Sequence, residues 1–483
     1  MNRRIRNGVA GLMVATMLVM GSVASAADRP NLIIVLADDL GWGDVGFNGH
    51  PIVQTPALDR LAQDGVKLAR FYAQAPSCSP TRASALTGRN GYRFGVIRAN
   101  NGRLEPEERS IAEALQAQGY ATGHFGKWHL GTLVRGERDG KRAGTDKAVG
   151  VYSPPWDNGF EVCFSTESKV PTWNPMERPA REVDTYWAPR GEDDDPAEWV
   201  DYGTSYWVAE NEAATENLQG DDSKLIMDRA LPFMRDAVAR GRPFLAVVWF
   251  HAPHMPVVAG PEFTKLYPGR TGFEQHYFGS ITAMDAQIGR LREELEAIGA
   301  WENTVLFFGS DNGPESIAHS DTEPAPGSAG NFSGRKRSLL EGGVRVPGLV
   351  SWPAGLTGGR SSQLPMTTSD FLPSALAMIG AIDEDAVLPI DGRDALTLLR
   401  RGEERRGDPI SFEFVGQVSL IDNNWKLYSD DDGATFRLFN LDTDETESTD
   451  LSGRYPERTS LMRAVLERWR ESCRQSVVGA DYR

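Results

Sequence analysis

The sequence predicts an α/β fold, a large sheet flanked by helices with a smaller antiparallel sheet toward the C-terminus, and three observations carry that prediction. Three apolar runs, Asn31 to Ala37, Phe244 to Phe250 and Thr304 to Gly309, have the length and unbroken apolar character of strands buried on both faces. Helical patterns lie between them: Thr55-Pro56 opens a helix that carries Leu58, Leu61 and Ala62 and stops near Gly65. Strands alternating with helices build an α/β sheet. Each run also ends in chemistry-bearing groups: Asp38-Asp39, His251-Ala252-Pro253-His254 and Asp311-Asn312. Ligands bind beyond the carboxyl ends of the strands in such sheets, so these groups are expected to converge on one crevice.

Residues 1–26 read as an export signal, with Arg3, Arg4 and Arg6 before an apolar stretch from Val9 to Met20 and a small-residue cleavage site at Ala24-Ser25-Ala26. The stretch is shorter than the ~20 residues a spanning helix needs. No cysteine stands at the cleavage point and no later segment reads as a membrane anchor, so a periplasmic or secreted protein is expected. A large α/β domain is expected over 27–385. Within it, periodicity fades between Gly131 and Asp222, and the acidic run Glu192 to Asp195 reads as a solvated loop. A helix from Ser369 to Gly380 leads to a subdomain over 386–483. Its strands are Ile410 to Phe414, Trp425 to Tyr428 and Phe436 to Phe439, and its closing helix runs from about Ser460 to Arg474.

The formal net charge of −16 disfavours nucleic acid as a partner, and an anionic substrate must be drawn in by a local basic pocket. Three cysteines do not make a disulfide scaffold. Cys163 and Cys473 are candidates for pairing. Cys473 shares an apolar helical stripe with Met462, Val465, Leu466 and Trp469, which favours a buried free thiol.

Cys78 opens the run Cys78-Ser79-Pro80-Thr81-Arg82-Ala83-Ser84-Ala85-Leu86-Thr87-Gly88-Arg89. Ser79 is expected to cap a helix with Pro80 at its first position and Gly88 closing it. The amides of that helix face an anion held at residue 78, and Arg82, one turn on, reaches the same patch. An aspartate pair after a strand, as at Asp38-Asp39, often serves as a cap or turn when it stands alone. Asp44 reads as structural. Lys127 and His129 are two apart and face one side of extended chain. For His251 a structural role stands level with a functional one. Arg335-Lys336-Arg337, in an acidic chain, reads as a local anion trap.

These segments together resemble the type I sulfatase family, whose Cys-x-Pro-x-Arg cysteine is oxidised to formylglycine. Asp38-Asp39 and Asp311-Asn312-Gly313 are similar to its metal motifs, whose three carboxylates and amide are hard oxygen donors that suit Ca²⁺, or Mg²⁺ in a tighter cavity, and Gly126-Lys127-Trp128-His129-Leu130-Gly131 is similar to a further element. Pro253-His254 and Glu341-Gly342-Gly343-x-Arg345-x-Pro347 complete the set, placing a sulfate-binding lysine at Lys336, a role that Arg335 or Arg337 shares or replaces. The resemblance is nearest the N-acetylgalactosamine-6-sulfatase-like branch and implies the alkaline-phosphatase-like fold. It implies that residue 78, as formylglycine hydrate, joins Asp38, Asp39, Asp311 and Asn312 around calcium, with Arg82, Lys127 and His129 holding the diol. Asp311 helps deprotonate the attacking hydroxyl, Lys127 and Lys336 balance sulfate charge, and His254 protonates the leaving oxygen. His129 takes the proton from the second hydroxyl. The implied partners are a formylglycine-generating enzyme and a sulfated carbohydrate, a glycosaminoglycan or algal polysaccharide fragment. Trp173, Asn174, Tyr186, Trp187 and Tyr206-Trp207 are candidates for sugar stacking. The competing readings are a phosphoric or phosphonic ester hydrolase of the same superfamily and a non-catalytic sulfated-glycan-binding protein.

Overall fold

The structure, a computed structural model, describes residues 29–135, 151–181, 185–317, 325–381 and 388–482. The export signal of residues 1–26 lies outside the described residues. Among those described, no helix is long and apolar enough to cross a membrane.

The centre of the molecule is a mixed sheet of ten strands. Five of them run parallel side by side, in the order Thr304–Ser310, Asn31–Ala37, Phe244–Trp249, Ala121–Lys127 and Val162–Thr166. Short antiparallel strands extend the sheet at both ends. Every residue of Asn31–Ala37 is buried, and alternation divides them between two cores. Leu32, Ile34 and Leu36 pack toward Ala83, Leu86, Ile111 and Phe371 on one face. Ile33 and Val35 pack toward Ile226, Leu231, Ile281 and Met284 on the other. The second face is covered by the helices Asp222–Ala239 and Gly272–Ala297, the latter started by a capping box between Thr271 and Glu274.

Two of the parallel strands, Ala121–Lys127 and Val162–Thr166, escape the apolar-run criterion. The first carries Thr122, Gly123, His124 and Gly126. Gly126 has φ +105°, and a Cβ there would lie 1.9 Å from the carbonyl oxygen of Trp249. Glycine is needed for this close approach, so the strand lacks the usual β-branched signature.

The C-terminal part forms an antiparallel sheet of four strands, Ile410–Phe414, Gln417–Asp422, Trp425–Ser429 and Arg437–Asn440. One face packs Phe412, Ile421 and Phe439 on Tyr72, Leu339 and Val344 of the large body. The other packs Val418, Leu420 and Leu438 on Met462 and Leu466 of the closing helix. That helix runs Pro456–Val477, longer at both ends than the apolar stripe predicts, with Pro456 in its first turn. The acidic run 192–195 is exposed. Cys78, Cys163 and Cys473 are all buried free thiols, so no Cys163–Cys473 bridge forms.

Candidate active site

The register of the parallel strands builds the site. Ala37 pairs with Ser310, so Asp38-Asp39 and Asp311-Asn312 leave adjacent strand ends together. Asp311 N donates to Ala37 O at 3.1 Å, and Asp38 N donates to Ala252 O at 3.1 Å, which draws in the segment carrying His254. Lys127 ends the strand on the far side of Phe244–Trp249. Asp38, Asp39, Asp311, Asn312 and His254 thus come together as expected, whereas His251 does not join them.

Cys78 enters from a helix over Cys78–Thr87 whose ten residues are all buried. The helix starts earlier than the sequence reading has it: Ser77, not Ser79, precedes the first turn, and Pro80 is the third helical residue. The Ser77 hydroxyl accepts from Ala99 N at 3.1 Å instead of capping the helix. Gly88 closes it in the left-handed conformation, φ 68°, as expected. Cys78 Sγ donates to Asp38 Oδ1 at 3.5 Å. Burial, then the Asp311 carboxylate, push the thiol well above the usual range, so the unmodified side chain is a protonated thiol and a poor nucleophile.

Arg82 does not hold its fork open for an anion. Its Nε and Nη2 donate to Asp311 Oδ2 at 3.0 and 2.7 Å, and Nη1 donates to Lys127 O at 3.1 Å. It lies fully buried, its guanidinium 5.0 Å from the Trp249 ring centroid. Arg82 therefore fixes Asp311 and the end of the Lys127 strand.

Two lysines face the other carboxylates. Lys127 Nζ donates to Asp38 Oδ2 at 2.5 Å. Lys336 Nζ donates to Asp39 Oδ1 and Oδ2 at 2.6 and 2.8 Å. Burial alone would raise the Asp39 carboxyl, but Lys336, His254 and Lys127 hold it well below the usual carboxylate range. Asp311 goes the other way: burial and the nearby Asp38 charge push it up to about 6, against Arg82 and Lys127. Burial opposes the charge on Lys336, and Asp39 overrides it and keeps the ammonium protonated.

The donor set fits a hard divalent cation. Asn312 Nδ2 donates to Asp39 Oδ1 at 2.8 Å, while Asn312 Oδ1 is buried without a hydrogen-bond partner. An orphaned amide oxygen beside three aspartates is what such an ion satisfies. Ligand atoms of Asp38, Asp39, Cys78 and His254 lie within 4.8 Å of one another. Asp311 stands outside this tightest group, turned toward Arg82. His254 is an addition to the predicted ligand set.

The histidines separate by environment. His254 Nε2 is 3.6 Å from Asp39 Oδ2, and its Nδ1 donates to Met255 O at 2.6 Å. Burial drives its pKa well below the ordinary value, against the pull of Asp39. His129 is not in extended chain as the two-residue spacing implies: it follows the strand with φ +60° and meets Asn100 Oδ1 through Nε2 at 2.7 Å. It still lines the crevice with Lys127. His251 is structural. Its Nδ1 meets Asp222 Oδ2 at 2.8 Å and its Nε2 meets Thr166 Oγ1 at 2.7 Å, with no exposed surface.

The sequence profile of the sulfatase family matches residues 30–381. The chain belongs to the sulfatase family. Arylsulfatase G of Mus musculus is 33% identical over 408 residues, covering 80% of this chain and 71% of that protein. N-acetylgalactosamine-6-sulfatase of Rattus norvegicus is 29% identical over 410 residues, covering 81% and 70%. A solved structure, Ps i-CgsB in complex with k-i-k-neocarrahexaose, superposes with a TM-score of 0.75 at 25% identity, covering 93% of this chain and 94% of that one. This sulfatase is a sulfuric ester hydrolase of the alkaline phosphatase superfamily.

The crevice of the sulfatase encloses about 800 Å³, with Cys78, Lys127, His129, His254 and Lys336 among its lining. Among the described residues, none of the aromatic side chains proposed for sugar stacking lines it. Tyr206 is fully buried, stacked on Phe164 at 3.9 Å and donating to Asp222. Trp187 is buried, and Tyr186 packs on Phe273 and His276. The aromatic that does reach the crevice is Phe414, from the small sheet. Arg335 turns away, donating to the carbonyls of Glu315, Ala325, Pro326 and Gly327. Arg337 pairs with Glu315, which also stands 3.6 Å from Lys336. Lys336 is thus the member of that trio that meets the acidic pair. Glu315 and Asn100 were not singled out from sequence, because neither falls in a spacing that chemistry demands.

Proposed function

We propose that this sulfatase hydrolyses sulfate monoesters of carbohydrates through formylglycine formed from Cys78. The observation that carries the reading is the surroundings of Cys78. The residue stands in the first turn of a buried helix, between Asp38 and the cationic Lys127 and Lys336, and its own thiol is held protonated. A sulfate ester finds here a pocket of positive charge inside a strongly acidic chain. The names of the relatives, an N-acetylgalactosamine-6-sulfatase and a protein complexed with a neocarrahexaose, support a carbohydrate substrate.

Formylglycine hydrate supplies an oxygen nucleophile and a second hydroxyl through which the sulfated residue can later be released. A calcium ion held by Asp38, Asp39, Asp311 and Asn312 supplies charge that stabilises anionic oxygen. This chain's residues do the rest. Lys127 and Lys336 neutralise the sulfate oxygens as charge moves onto them. Asp311, whose carboxylate acts on position 78, is the group that accepts its proton. His254 Nδ1 is tied to the Met255 carbonyl, so Nε2 is the atom turned to the departing sugar oxygen, and it must first take up a proton in order to deliver one there. His129, oriented by Asn100, takes a proton on the return half of the cycle. Arg82 keeps Asp311 aligned throughout. A leader over residues 1–26 would send the chain to the periplasm or outside the cell, after a formylglycine-generating enzyme has met Cys78.

Peptide mass spectrometry across Cys78 tests the nucleophile, and hydrolysis of sulfate and phosphate esters of one phenol tests the reaction. Formylglycine with sulfate ester turnover is expected. An unmodified cysteine in a protein that still turns over sulfate esters would sink the formylglycine part. Faster turnover of the phosphate ester would make the chain a phosphoric ester hydrolase of the same superfamily.

A further inference from the structure

The turn Val415-Gly416 joins the first two strands of the small sheet, with Phe414 and Gln417 paired across it. Its two residues have φ +44° and +78°, the left-handed pair that a two-residue hairpin of type I′ requires. Asn-Gly suits that turn. Valine does not, because its two Cβ branches crowd the backbone at positive φ. Val415 is nevertheless 61% exposed, so burial in the core does not compensate. Its amide is held by the Tyr92 hydroxyl at 3.0 Å, and its side chain stands on the crevice lining beside Phe414. Strain kept at a ligand-facing position points to a use outside the fold.

Arg98 lies on the same lining and is exposed. Its charge acts on the Tyr92 phenol, whose hydroxyl holds the Val415 amide. Arg335 and Arg337 spend their donors on carbonyls and on Glu315. Arg98, by contrast, has no hydrogen-bonded or ionic side-chain partner among the described residues. An exposed guanidinium on the crevice wall with no protein partner is free to take an anion carried by a bound ligand.

We infer that Val415 and Arg98 form a subsite for the unit next to the sulfated one in an oligosaccharide, Val415 packing on its C–H face and Arg98 binding an anionic group that it carries. The anion is a second sulfate or a carboxylate. The inference deepens the carbohydrate-sulfatase reading and rests on it.

The test uses the full, matured protein and four probes. They are nitrophenyl sulfate and three disaccharides of N-acetylgalactosamine 6-sulfate whose second unit is a neutral galactose, a uronic acid or a sulfated galactose. The disaccharides are read by turnover, or as competitive inhibitors of nitrophenyl sulfate hydrolysis. An anionic second unit should tighten binding about tenfold over the neutral one, and Arg98→Gln should erase that difference. Which anion gains tells sulfate from carboxylate. Val415→Asn should weaken all three disaccharides by about threefold and leave nitrophenyl sulfate unchanged. The same variant should raise Tm slightly, since asparagine suits the turn, and a purely structural residue would not split the substrates in this way. Equal constants for the three disaccharides, or losses that nitrophenyl sulfate shares, overturn the subsite alone. No turnover of any probe by the unsubstituted protein overturns the parent reading and the subsite with it.

Discussion

Cys78 has three environments at once: a helix start, an acidic neighbour and two lysines across the crevice. Serine at this position would supply one hydroxyl and no second one through which to release sulfate. Cys78→Ser is therefore expected to fold normally and to stop after one event, and intact-mass measurement should find it carrying sulfate. Steady turnover by this variant would remove the formylglycine step. Single residues were legible where chemistry fixes their type and spacing. Lys127 and His254 line the crevice, and Asp38 and Asp39 lie buried against them. Arg82 was legible as a participant but not in its posture, because no sequence pattern records that Asp311 and the Lys127 carbonyl take its donors. Glu315 and Asn100 act only through contacts made by folding, so no local pattern announces them.

Among elements, the strand Ala121–Lys127 shows why apolar runs find only part of a sheet. Its Gly126 lets Trp249 approach and so fixes where Lys127 ends. Gly126→Ala should lose about 3 kcal/mol or more of stability and most sulfate ester turnover. Unchanged Tm and activity would mean that the strands can part without moving the lysine. The closing helix has its own anchor. Asp391 receives Arg93 Nε and Nη2 at 2.7 and 2.8 Å, Asn90 N at 2.7 Å and Trp469 Nε1 at 2.8 Å, which binds the linker, the segment after the Cys78 helix and the C-terminal helix together. Burial pushes this carboxyl up, but the donors outweigh it and hold it below its usual range. A carboxyl lowered in the folded state gives stability that is present above its unfolded value, near pH 4, and is lost as pH falls through the lower folded value. Asp391→Asn should cost about 3 kcal/mol at neutral pH. It should also flatten the acid side of the stability profile, and urea melts at a series of pH values measure both. An acid limb that keeps its slope would assign that slope to other carboxylates.

At the scale of the molecule, a chain of net charge −16 concentrates lysines at the one crevice where an anion must enter. The acidic total was legible in composition, and so was the need for a local exception, but the pairing of Lys127 with Asp38 and of Lys336 with Asp39 required the fold. Those acidic groups sit where adjacent strand ends and the Cys78 helix meet, so an ion bound there ties distant parts of the chain. Calcium at a hundred times its Kd should stabilise the protein by about 2.7 kcal/mol. Tm should rise with calcium and fall with a chelator, and Asp39→Asn should shrink the difference. A Tm indifferent to both would take these residues out of metal binding. The buried Cys78 helix, finally, sets an order of events. All ten of its residues are enclosed in the finished protein, so a modifying enzyme can meet Cys78 only while the chain is still open. On the proposed maturation, synthesis is a race between folding and oxidation, and a molecule that folds first is sealed as a permanent blank.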